Sequence, residues 1–469
     1  MRHEPSPYET LHVMTRSLLW FRRDLRLEDH AALAAAAAAG DVVPVFVVDP
    51  LFTARAGAPR RAFMAAALRA LNDEMGGALV YRHGDPATVI PELAAEVGAS
   101  AVYVSRDFGP YGRRRDAAVA ARLSSDGRRL VGVGSPYAVE PGTVTKADGT
   151  PYAVFTPFSK AWRSVGWGTG AAEATARITV NWSGAPGVPC DGPPLTPQIE
   201  FELPDASAAS TYDRWRSFVH GRLDRYDVAR NEPAASGTST MSAALRWGII
   251  HPRQMLGSLA PYGDVRAHDV FASELAWREF YADVLFRRPE SAWQNLQSKM
   301  GAMPIDTDDR ATDRFAAWQR GETGYPIVDA GMRELLATGW MHNRVRMITA
   351  SFLIKDLHLP WQWGARHFMR HLIDGDLASN AHGWQWTAGT GTDAAPYFRV
   401  FNPTSQSERF DPDGGYIRRW VPELTSVAGS LVHAPGLLRP DSYPAPIVDH
   451  AIERDEALRR YRAVTGATR

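Results

Sequence analysis

The sequence is poor in cysteine and in lysine. Cys190 is the single cysteine among 469 residues, so the chain cannot form an intramolecular disulfide or a cysteine-based zinc or iron–sulfur site. Arginine supplies almost all of the positive charge, since the only lysines are Lys146, Lys160, Lys299 and Lys355. The single cysteine excludes a disulfide-rich secreted fold and a thiolate metal centre.

The chain also lacks an excess of charge of either sign. The 52 basic residues balance the 52 acidic residues, and the formal net charge at pH 7 is zero. A protein that holds nucleic acid through bulk positive charge is therefore disfavoured. A local patch of arginines remains compatible with this composition.

Long apolar runs are missing as well. No segment approaches the roughly 18 apolar residues of a membrane span. The first apolar run, SLLWF at 17–21, is interrupted at once by Arg22 and Arg23. Residues 1–16 have no apolar stretch long enough for a signal peptide and are interpreted as an N-terminal extension. We expect a soluble, cytoplasmic, monomeric protein that has no contact with a membrane.

Between residues 17 and 135, short apolar runs alternate with helical segments. The strand-like SLLWF is followed by an alanine-rich helix near 29–39 and by the apolar run VVPVFVV. This alternation predicts a doubly wound parallel sheet with helices on both faces, a Rossmann-like α/β domain. The turn after the first strand reads FRRDLR and not GxGxxG, so a nicotinamide-dependent dehydrogenase is not expected.

The character of the sequence changes twice after this domain. Residues 136–210 are rich in proline, glycine and alanine and are predicted to be an interdomain linker. From 211 to 469 the apolar pattern is helical, which predicts an all-α domain. This part also holds most of the tryptophans, since 11 of the 15 follow residue 200.

One helical segment, ASELAWREFYADV, carries polar and aromatic residues at helical spacing. Glu274, Trp277, Arg278 and Tyr281 stand at i, i+3, i+4 and i+7, which places all four on one helix face. By itself, the pattern is more often an ordinary amphipathic helix with an internal Glu–Arg pair.

The strongest candidate segment is HLIDGDLASNAHGWQW. Asp374 and Asp376 flank a glycine, Asn380 and Trp384 share a helix face, and Trp386 points roughly the other way. Core packing alone rarely needs so many polar and indole groups in one segment. The two acids could accept hydrogen bonds from a ligand. A metal site would need more oxygen ligands than the segment offers, so no metal is expected.

Two further clusters are weaker signals. Asn343 and Met347 are helix neighbours with Arg346 beside them, but an amide at such a place is often only a satisfied core group. The hydroxyl-rich run GTSTMS at 237–242 precedes a helix and could bind phosphate through backbone N–H groups. An ordinary helix N-cap is the simpler interpretation of that run.

Together these segments resemble the photolyase/cryptochrome family of flavoproteins over nearly the whole chain. Within the family, the chain is most similar to bacterial class I enzymes that repair cyclobutane pyrimidine dimers. The motifs that carry the resemblance occur in the family's order: LLWFRRDLRLEDH, FTPFSKAW, RYDVARNEPAASGTSTMS, ELAWREFY, GYPIVDAGMR, GWMHNRVRM, LIDGDLASN, GWQW and TGTDAAPYFRVFNP.

The resemblance implies FAD as the cofactor and assigns residues to its pocket. A neutral Asn380 would face the flavin N5 atom without adding charge there. The FAD phosphates would be held by Tyr226, Thr238, Ser239 and Ser242. The flavin ring would be lined by Phe271, Glu274, Arg278, Asn343, Arg346, Asp374 and Asp376.

The resemblance also implies UV-damaged DNA as the partner. Tryptophan faces suit stacking against bases, and arginine forks suit phosphates. The flipped dimer would contact Glu274, Trp277, Asn343, Met347 and Trp386. The DNA phosphates would be contacted by Arg230, Arg344 and Arg399.

Two departures from the family pattern stand out. In the usual tryptophan relay, Trp384 matches the proximal and Trp361 the middle position, but Ile305 stands at the distal position. Trp318 or Tyr325 could substitute for the missing indole. The second departure concerns the antenna chromophore.

Folate-binding relatives carry an Asn–Glu pair where this chain has Tyr111 and Gly112. The resemblance therefore favours 8-hydroxy-5-deazaflavin over methenyltetrahydrofolate, and an empty antenna site is equally compatible with the sequence. Arg22, Phe46 and Asp107 are the expected lining, because α/β sheets bind ligands near strand ends.

The resemblance thus predicts light-driven repair, in which reduced FAD gives an electron to a flipped dimer and splits it. Three alternatives remain: a cryptochrome-like photoreceptor without repair, a lyase for the (6–4) photoproduct that uses His342 for proton transfer, and two domains without any cofactor.

Overall fold

The computed structural model describes residues 16–167, 178, 180–182, 190–259, 265–393 and 399–466. Its first part contains a five-stranded sheet in the order β3-β2-β1-β4-β5, and every strand pair is parallel. The order reverses between β1 and β4, which creates a crevice at the carboxyl ends of these strands. The strands are β1 Arg16–Phe21, β2 Asp41–Val48, β3 Val80–His83, β4 Ala101–Val104 and β5 Arg129–Gly132.

Helices cover both faces of this sheet, as the alternating pattern predicted. Leu18 and Trp20 of β1 pack in one buried cluster, and Leu19 and Phe21 pack in another on the opposite face. The prediction of a doubly wound α/β domain is confirmed. Its helices are α1 Ala31–Ala39, α2 Pro50–Arg55, α3 Ala58–Glu74, α4 Pro86–Glu96 and α5 Pro110–Ser125.

The rest of the described chain is helical, and the all-α prediction is confirmed. Past residue 133, the described residues contain no strand and only an isolated bridge between Trp182 and Val42. In the described part of the chain, no helix is both long and apolar enough to cross a membrane. The helices are α6 Phe155–Val165, α7 Ala208–Gly221, α8 Tyr226–Ala229, α9 Ser242–Trp247, α10 Pro252–Leu259, α11 Arg266–Arg287, α12 Asp309–Arg320, α13 Pro326–Thr338, α14 Asn343–Lys355, α15 Trp361–His371, α16 Leu377–Ala388, α17 Pro403–Phe410, α18 Gly415–Trp420 and α19 His450–Thr465.

The segment predicted as a linker contains a helix that belongs to the core. Phe158 and Trp162 of α6 are 1% and 0% exposed, and they pack in the cluster that also holds the buried face of α11. The segment from 136 to 210 is therefore not surface linker throughout. Its proline and glycine content concealed the apolar face of α6.

Two buried acids of α11 bind the chain that leaves the sheet. The Glu279 carboxylate accepts the Val139 N–H at 3.0 Å and the Trp162 Nε1–H at 2.6 Å, and it also accepts the Ala138 N–H. One helical turn later, Asp283 accepts the Gly142 N–H at 2.6 Å. Burial raises the pKa of Glu279, although its donors act in the opposite direction. This pair fixes the path between the domains.

Replacing Glu279 by leucine is expected to destabilise the protein by about 2–4 kcal/mol, because buried N–H donors would lose their acceptor. Glu279→Gln should lie between leucine and the native residue, since its amide oxygen keeps part of the acceptor capacity. Urea unfolding followed by circular dichroism measures the change. Glu92→Leu, at an exposed position of α4, serves as the matched control, and equal losses in both variants would contradict the assignment.

Candidate active site

Helices α14, α15 and α16 enclose a cavity of about 160 Å³. Several residues that were singled out in separate sequence segments meet there, although they are up to 41 positions apart (384 minus 343). The predicted site residues that line the cavity are Asn343, Arg346, Met347, Asp374, Asp376, Asn380 and Trp384. The structure thus assembles the segments GWMHNRVRM, LIDGDLASN and GWQW into one site.

The first acid of this site is neutralised by an arginine. Arg346 Nη1 and Nη2 donate to the two carboxylate oxygens of Asp374 at 3.3 and 2.8 Å, while Arg346 Nε donates to the Met341 carbonyl at 2.8 Å. A bidentate pair of this kind orients both side chains. In the described ranges, no three His, Cys, Asp or Glu side chains are grouped so that they could hold a metal ion.

The second acid caps α16 and faces the other domain. Asp376 accepts the Ser379 N–H at 3.1 Å and pairs with Arg23, which follows β1, at 3.4 Å. Burial by itself would raise the pKa of Asp376, but Arg23, Arg246 and Arg278 outweigh it and lower the pKa. The carboxylate is therefore ionised at neutral pH and surrounded by guanidinium groups.

Two features of α16 leave room for a flat ring. Asn380 Nδ2 donates to the Ala365 carbonyl of α15 at 3.0 Å, which holds the amide in place. Gly383 lines the cavity one turn later, and a Cβ atom added there would meet nothing within 4 Å. Gly364, on the facing helix α15, has no such space, because a Cβ atom there would lie 2.1 Å from the Trp384 ring. The residues present fit a planar, partly polar group such as the expected flavin.

A second set of candidate residues lies on α11 and does not line this cavity. We call it the α11 group, and its members are Phe271, Glu274, Trp277 and Arg278. Glu274 pairs with Arg230 at 2.7 Å. Trp277 is stacked on Phe155 of α6, with ring centroids 3.7 Å apart and an interplanar angle of 7°. Trp386 is half-buried on α16 and also lies outside the lining of the cavity. The sequence pattern did not reveal that Phe155 covers one face of Trp277.

Arg278 points towards the chain that leaves the sheet. Its Nη1 donates to the Pro136 carbonyl at 3.1 Å, and its guanidinium lies 4.6 Å from the centroid of the Tyr137 ring. Phe271, also on α11, is buried against Tyr226 with ring centroids 5.1 Å apart. These residues support the walls around the site through packing.

The predicted hydroxyl cluster stands at the start of α9. Ser242 is the first residue of that helix and accepts the Trp340 Nε1–H at 3.3 Å. Ser239 Oγ accepts the Met241 N–H at 3.4 Å, and Thr238 is half-buried beside it. The hydroxyl groups do not cap α9, because its N-cap residue is Met241 and no side chain accepts a hydrogen bond from the first turn. The N-cap interpretation of this run is therefore wrong, and the Ser242 hydroxyl instead contacts Trp340, between α13 and α14.

Arginines form a rim around Phe410 that the sequence only partly revealed. Arg344 donates to Asn231 Oδ1 at 2.6 Å, and its guanidinium lies 4.4 Å from the Phe410 ring centroid. Arg409 lies 5.2 Å from the same ring and was missed, because a helix-end arginine carries no motif. Burial, and then Arg230 and Arg409, lower the pKa of Arg344. Arg344 Nε is buried without a hydrogen-bond partner among the described residues.

The third predicted phosphate contact, Arg399, is exposed, and its backbone carbonyl accepts a hydrogen bond from Lys355 Nζ. The motif that precedes it, at 394–398, lies outside the described residues.

The relay candidates Trp318, Tyr325 and Trp361 differ in burial and in their neighbours. Trp318 is fully buried and lies 6.2 Å from Trp384 by ring centroids, so it adjoins the proximal position and cannot be a surface terminus. Tyr325 packs against Phe352 in the core and donates to a backbone carbonyl near α19. Trp361 is 5% exposed. Trp318 therefore does not occupy the surface place that the resemblance left open, and Tyr325 is half-buried.

A second cavity of about 290 Å³ lies at the carboxyl ends of β1, β2 and β4. Arg22, Phe46 and Asp107, which were expected to line an antenna site, all line it, and so does Asp376. Burial alone would raise the pKa of Asp107, but neighbouring arginines lower it. Because Asp376 lines both cavities, the two sites are immediate neighbours.

One histidine of α16 is buried in its neutral form. His382 Nδ1–H donates to the Ala378 carbonyl at 2.8 Å, and Nε2 accepts from the Ser291 hydroxyl at 3.0 Å. Burial lowers the pKa of His382 to about 4. Between that pH and the usual histidine pKa, the unfolded chain binds a proton that the folded chain excludes.

The free energy of unfolding should therefore fall with acid below about pH 6.5, by up to about 1.4 kcal/mol per pH unit for this group. His382→Gln should lose less stability between neutral pH and pH 5 than the native protein. Urea unfolding at both pH values measures the difference. The exposed His83→Gln variant is the control, and an identical acid loss in all three proteins would contradict the prediction.

Comparison with known families matches both parts of the chain. Residues 17–176 match the family model described as DNA photolyase, and residues 271–463 match the model described as FAD binding domain of DNA photolyase. A deoxyribodipyrimidine photo-lyase of Synechococcus is 38% identical over 96% of this chain and 97% of its own length. The protein of the same name from Salmonella typhimurium is 40% identical over 96% of this chain and 99% of its own length.

Solved structures are similar to 96–98% of the chain. A class III photolyase from Agrobacterium tumefaciens is 34% identical with a TM-score of 0.85, and a Synechocystis cryptochrome is 28% identical with a TM-score of 0.87; each match covers 98% of this chain and 100% of the other. A Sulfolobus tokodaii photolyase with two FAD molecules is 28% identical with a TM-score of 0.81, over 96% of this chain and 100% of its own.

Proposed function

The chain belongs to the photolyase/cryptochrome family, and we propose that it is an FAD-dependent deoxyribodipyrimidine photo-lyase that uses light to split cyclobutane pyrimidine dimers in DNA. The observation that carries this proposal is the 160 Å³ cavity, where Asn343, Met347, Asp374, Asp376 and Asn380 meet. Relatives named for this activity are similar to the chain over nearly its full length.

Bound FAD would supply the light-driven one-electron chemistry that no amino-acid side chain in the site provides. Arg346 and Asp374 would hold its ring by a preformed ion pair, and the ionised Asp376 would accept N–H groups from it. Asn380 would accept or donate a hydrogen bond at N5 without introducing a charge. A neutral contact there favours an anionic reduced ring, because an acid would promote protonation.

The lesion would enter between the α11 group and the 160 Å³ cavity. Trp277 offers the ring face that Phe155 leaves free, and Trp386 offers a second indole for stacking. Glu274 would hydrogen-bond a base edge. In the free protein, Arg230 neutralises that acid at 2.7 Å, and a DNA phosphate would compete for the same guanidinium.

The (6–4) alternative is disfavoured by the state of His342. This residue is 2% exposed and caps α14, since its Nδ1 accepts the Arg344 N–H at 3.2 Å. Burial, followed by the nearby arginines, lowers its pKa to about 4. A neutral histidine with one nitrogen committed to a helix cap is a poor proton donor at neutral pH.

For the neighbouring cavity of about 290 Å³, we favour 8-hydroxy-5-deazaflavin as the antenna chromophore over methenyltetrahydrofolate. A glutamate at 112, as in the folate pattern, would collide, because a Cβ atom at Gly112 would lie 2.1 Å from Asp107 Cγ. The Sulfolobus photolyase described with two FAD molecules supports a tricyclic second chromophore in this family.

Repair is tested with protein whose flavin has been chemically reduced, mixed with an oligonucleotide that holds one cyclobutane dimer, under blue light. We expect loss of the dimer, and no consumption of a (6–4) photoproduct offered in parallel. Trp277→Ala should weaken binding of the lesion about five- to hundredfold through lost stacking. Leu437→Ala, at a fully exposed position, is the control. An unrepaired dimer would falsify the proposal.

The arginine rim predicts a change in the salt dependence of DNA binding. Arg344→Gln and Arg409→Gln should each reduce the slope of log affinity against log salt by about 0.9, since each loses one phosphate contact. Arg459→Gln on the exposed face of α19 should leave the slope unchanged. Fluorescence anisotropy at several salt concentrations measures the slopes. Native slopes in both rim variants would rule out these contacts.

The antenna assignment is tested by denaturing the protein and identifying the released chromophores. From a host that makes deazaflavin, we expect FAD and 8-hydroxy-5-deazaflavin. Gly112→Ala should lose the second chromophore and keep FAD, because the added Cβ displaces Asp107. Gly221→Ala, where a Cβ atom meets nothing within 4 Å, is the matched control. Release of methenyltetrahydrofolate would contradict the assignment.

A further inference from the structure

A third cavity, of about 320 Å³, lies beside Trp361. It is bordered by the turn Ser298–Ala302, the start of α15, the segment that follows α16, and α19. This volume is in the range of about 300–1,000 Å³ that holds small organic ligands. The cavity shares no lining residue with the two cavities described above.

The lining suits a planar aromatic molecule. Trp361 and Trp293 both contribute indole rings, and Trp293 is 42% exposed, so the cavity is reached from the surface. Met300 and Met303 add thioether groups, which pack favourably against aromatic rings. An aromatic ligand would therefore contact indole faces and sulfur atoms at once.

One buried hydroxyl in this lining has no partner. Thr390 is 2% exposed, and its Oγ1 makes no hydrogen bond to any described residue. A buried hydroxyl without a partner is unfavourable and is rare in folded proteins. Asn295, in the same lining, makes its hydrogen bond with Trp361 and not with Thr390: its Oδ1 accepts the Trp361 Nε1–H at 2.8 Å. A ligand with its own hydroxyl would satisfy Thr390.

Ile305 lies at the rim of the same cavity and is 51% exposed. It stands where the resemblance to the family places the distal tryptophan of the relay, and an aliphatic side chain cannot donate an electron. We propose that this cavity binds a small phenol, which replaces the missing indole as the terminal electron donor to Trp361. The redox part of this proposal rests on the proposed function.

The electron balance closes with the phenol as the reductant. One electron drawn from Trp361 through the relay would go to light-excited, oxidised FAD, the cofactor of the proposed function, and an indole radical cation would remain at Trp361. The bound phenol transfers one electron to this indole and its hydroxyl proton to water, which restores Trp361 and leaves a neutral phenoxyl radical. Two such radicals, released to solution, combine through a new carbon–carbon or carbon–oxygen bond to give a dimeric phenol.

Binding is measured first in the dark, by calorimetric titration of the FAD-loaded protein with 4-methylphenol. We expect one saturable site. Thr390→Val should weaken binding about three- to tenfold through the lost hydrogen bond, whereas Thr312→Val, an exposed threonine outside the cavity, should bind like the native protein. Ile305→Trp should also weaken binding, because its indole enters the mouth of the cavity. No saturable binding would overturn the proposal whatever the repair activity.

Photoreduction of oxidised flavin is then followed by absorbance at increasing phenol concentration. We expect the rate to saturate at the dissociation constant found in the dark, dimeric phenol to accumulate, and 4-methylbenzyl alcohol to compete without acting as a donor. In the Ile305→Trp variant, the flavin should be photoreduced without added phenol, because the new indole supplies the electron.

A rate independent of phenol but abolished by Trp293→Phe would identify Trp293 as the donor and overturn the proposal. Repair by chemically reduced protein is measured separately and does not need this cavity, so failure of the two proposals is distinguishable.

Discussion

The hydrogen bonds of the buried Glu279 carboxylate are the interaction on which the position of the candidate site residues depends. The carboxylate takes backbone N–H groups of the chain that leaves the sheet and the indole N–H of α6, and it stands on α11. Buried N–H groups need acceptors, so the sheet domain, α6 and α11 have to meet at this point. Since α11 also carries Trp277 and Arg278, the contact sets how the α11 group faces the helices of the 160 Å³ cavity. It also brings Phe155, at the start of α6, onto the Trp277 ring.

Charge in the site is arranged in pairs that are already formed. Asp374 is paired with Arg346, and the guanidinium groups around Asp376 lower the pKa of that acid despite its burial. Such pairs cost little rearrangement when a ligand binds, and their orientation is set by the fold. The same Asp376 stands on the wall between two cavities. A chromophore in the cavity of the sheet domain and a cofactor in the cavity of the helical domain would thus lie on either side of Asp376.

Much of the site followed from local patterns. Helical spacing brought Asn343 and Met347 to one face and Asn380 and Trp384 to another, and the structure has these faces around one cavity. Other partners could not be read from the chain. Phe155 lies in a segment whose prolines and glycines suggested a linker, and Arg409 stands at a helix end without a motif. Trp318 fitted a relay by residue type, but its burial against Trp384 depends on how α12 packs.

The sequence by itself determined the two-part architecture and the candidate ligand-binding side chains, and it excluded an intramolecular disulfide and a cysteine-based metal centre. The architecture and the shortage of cysteine follow from composition and from periodicities of two and 3.6 residues, which are local. The roles of the candidate side chains are what the resemblance to the photolyase/cryptochrome family implies. Tertiary structure alone decided which side chains share a cavity, which acids are paired, and that a cavity with an unpartnered threonine lies beside Trp361. Such facts depend on contacts between residues far apart in the chain, and the packing of whole helices sets those contacts.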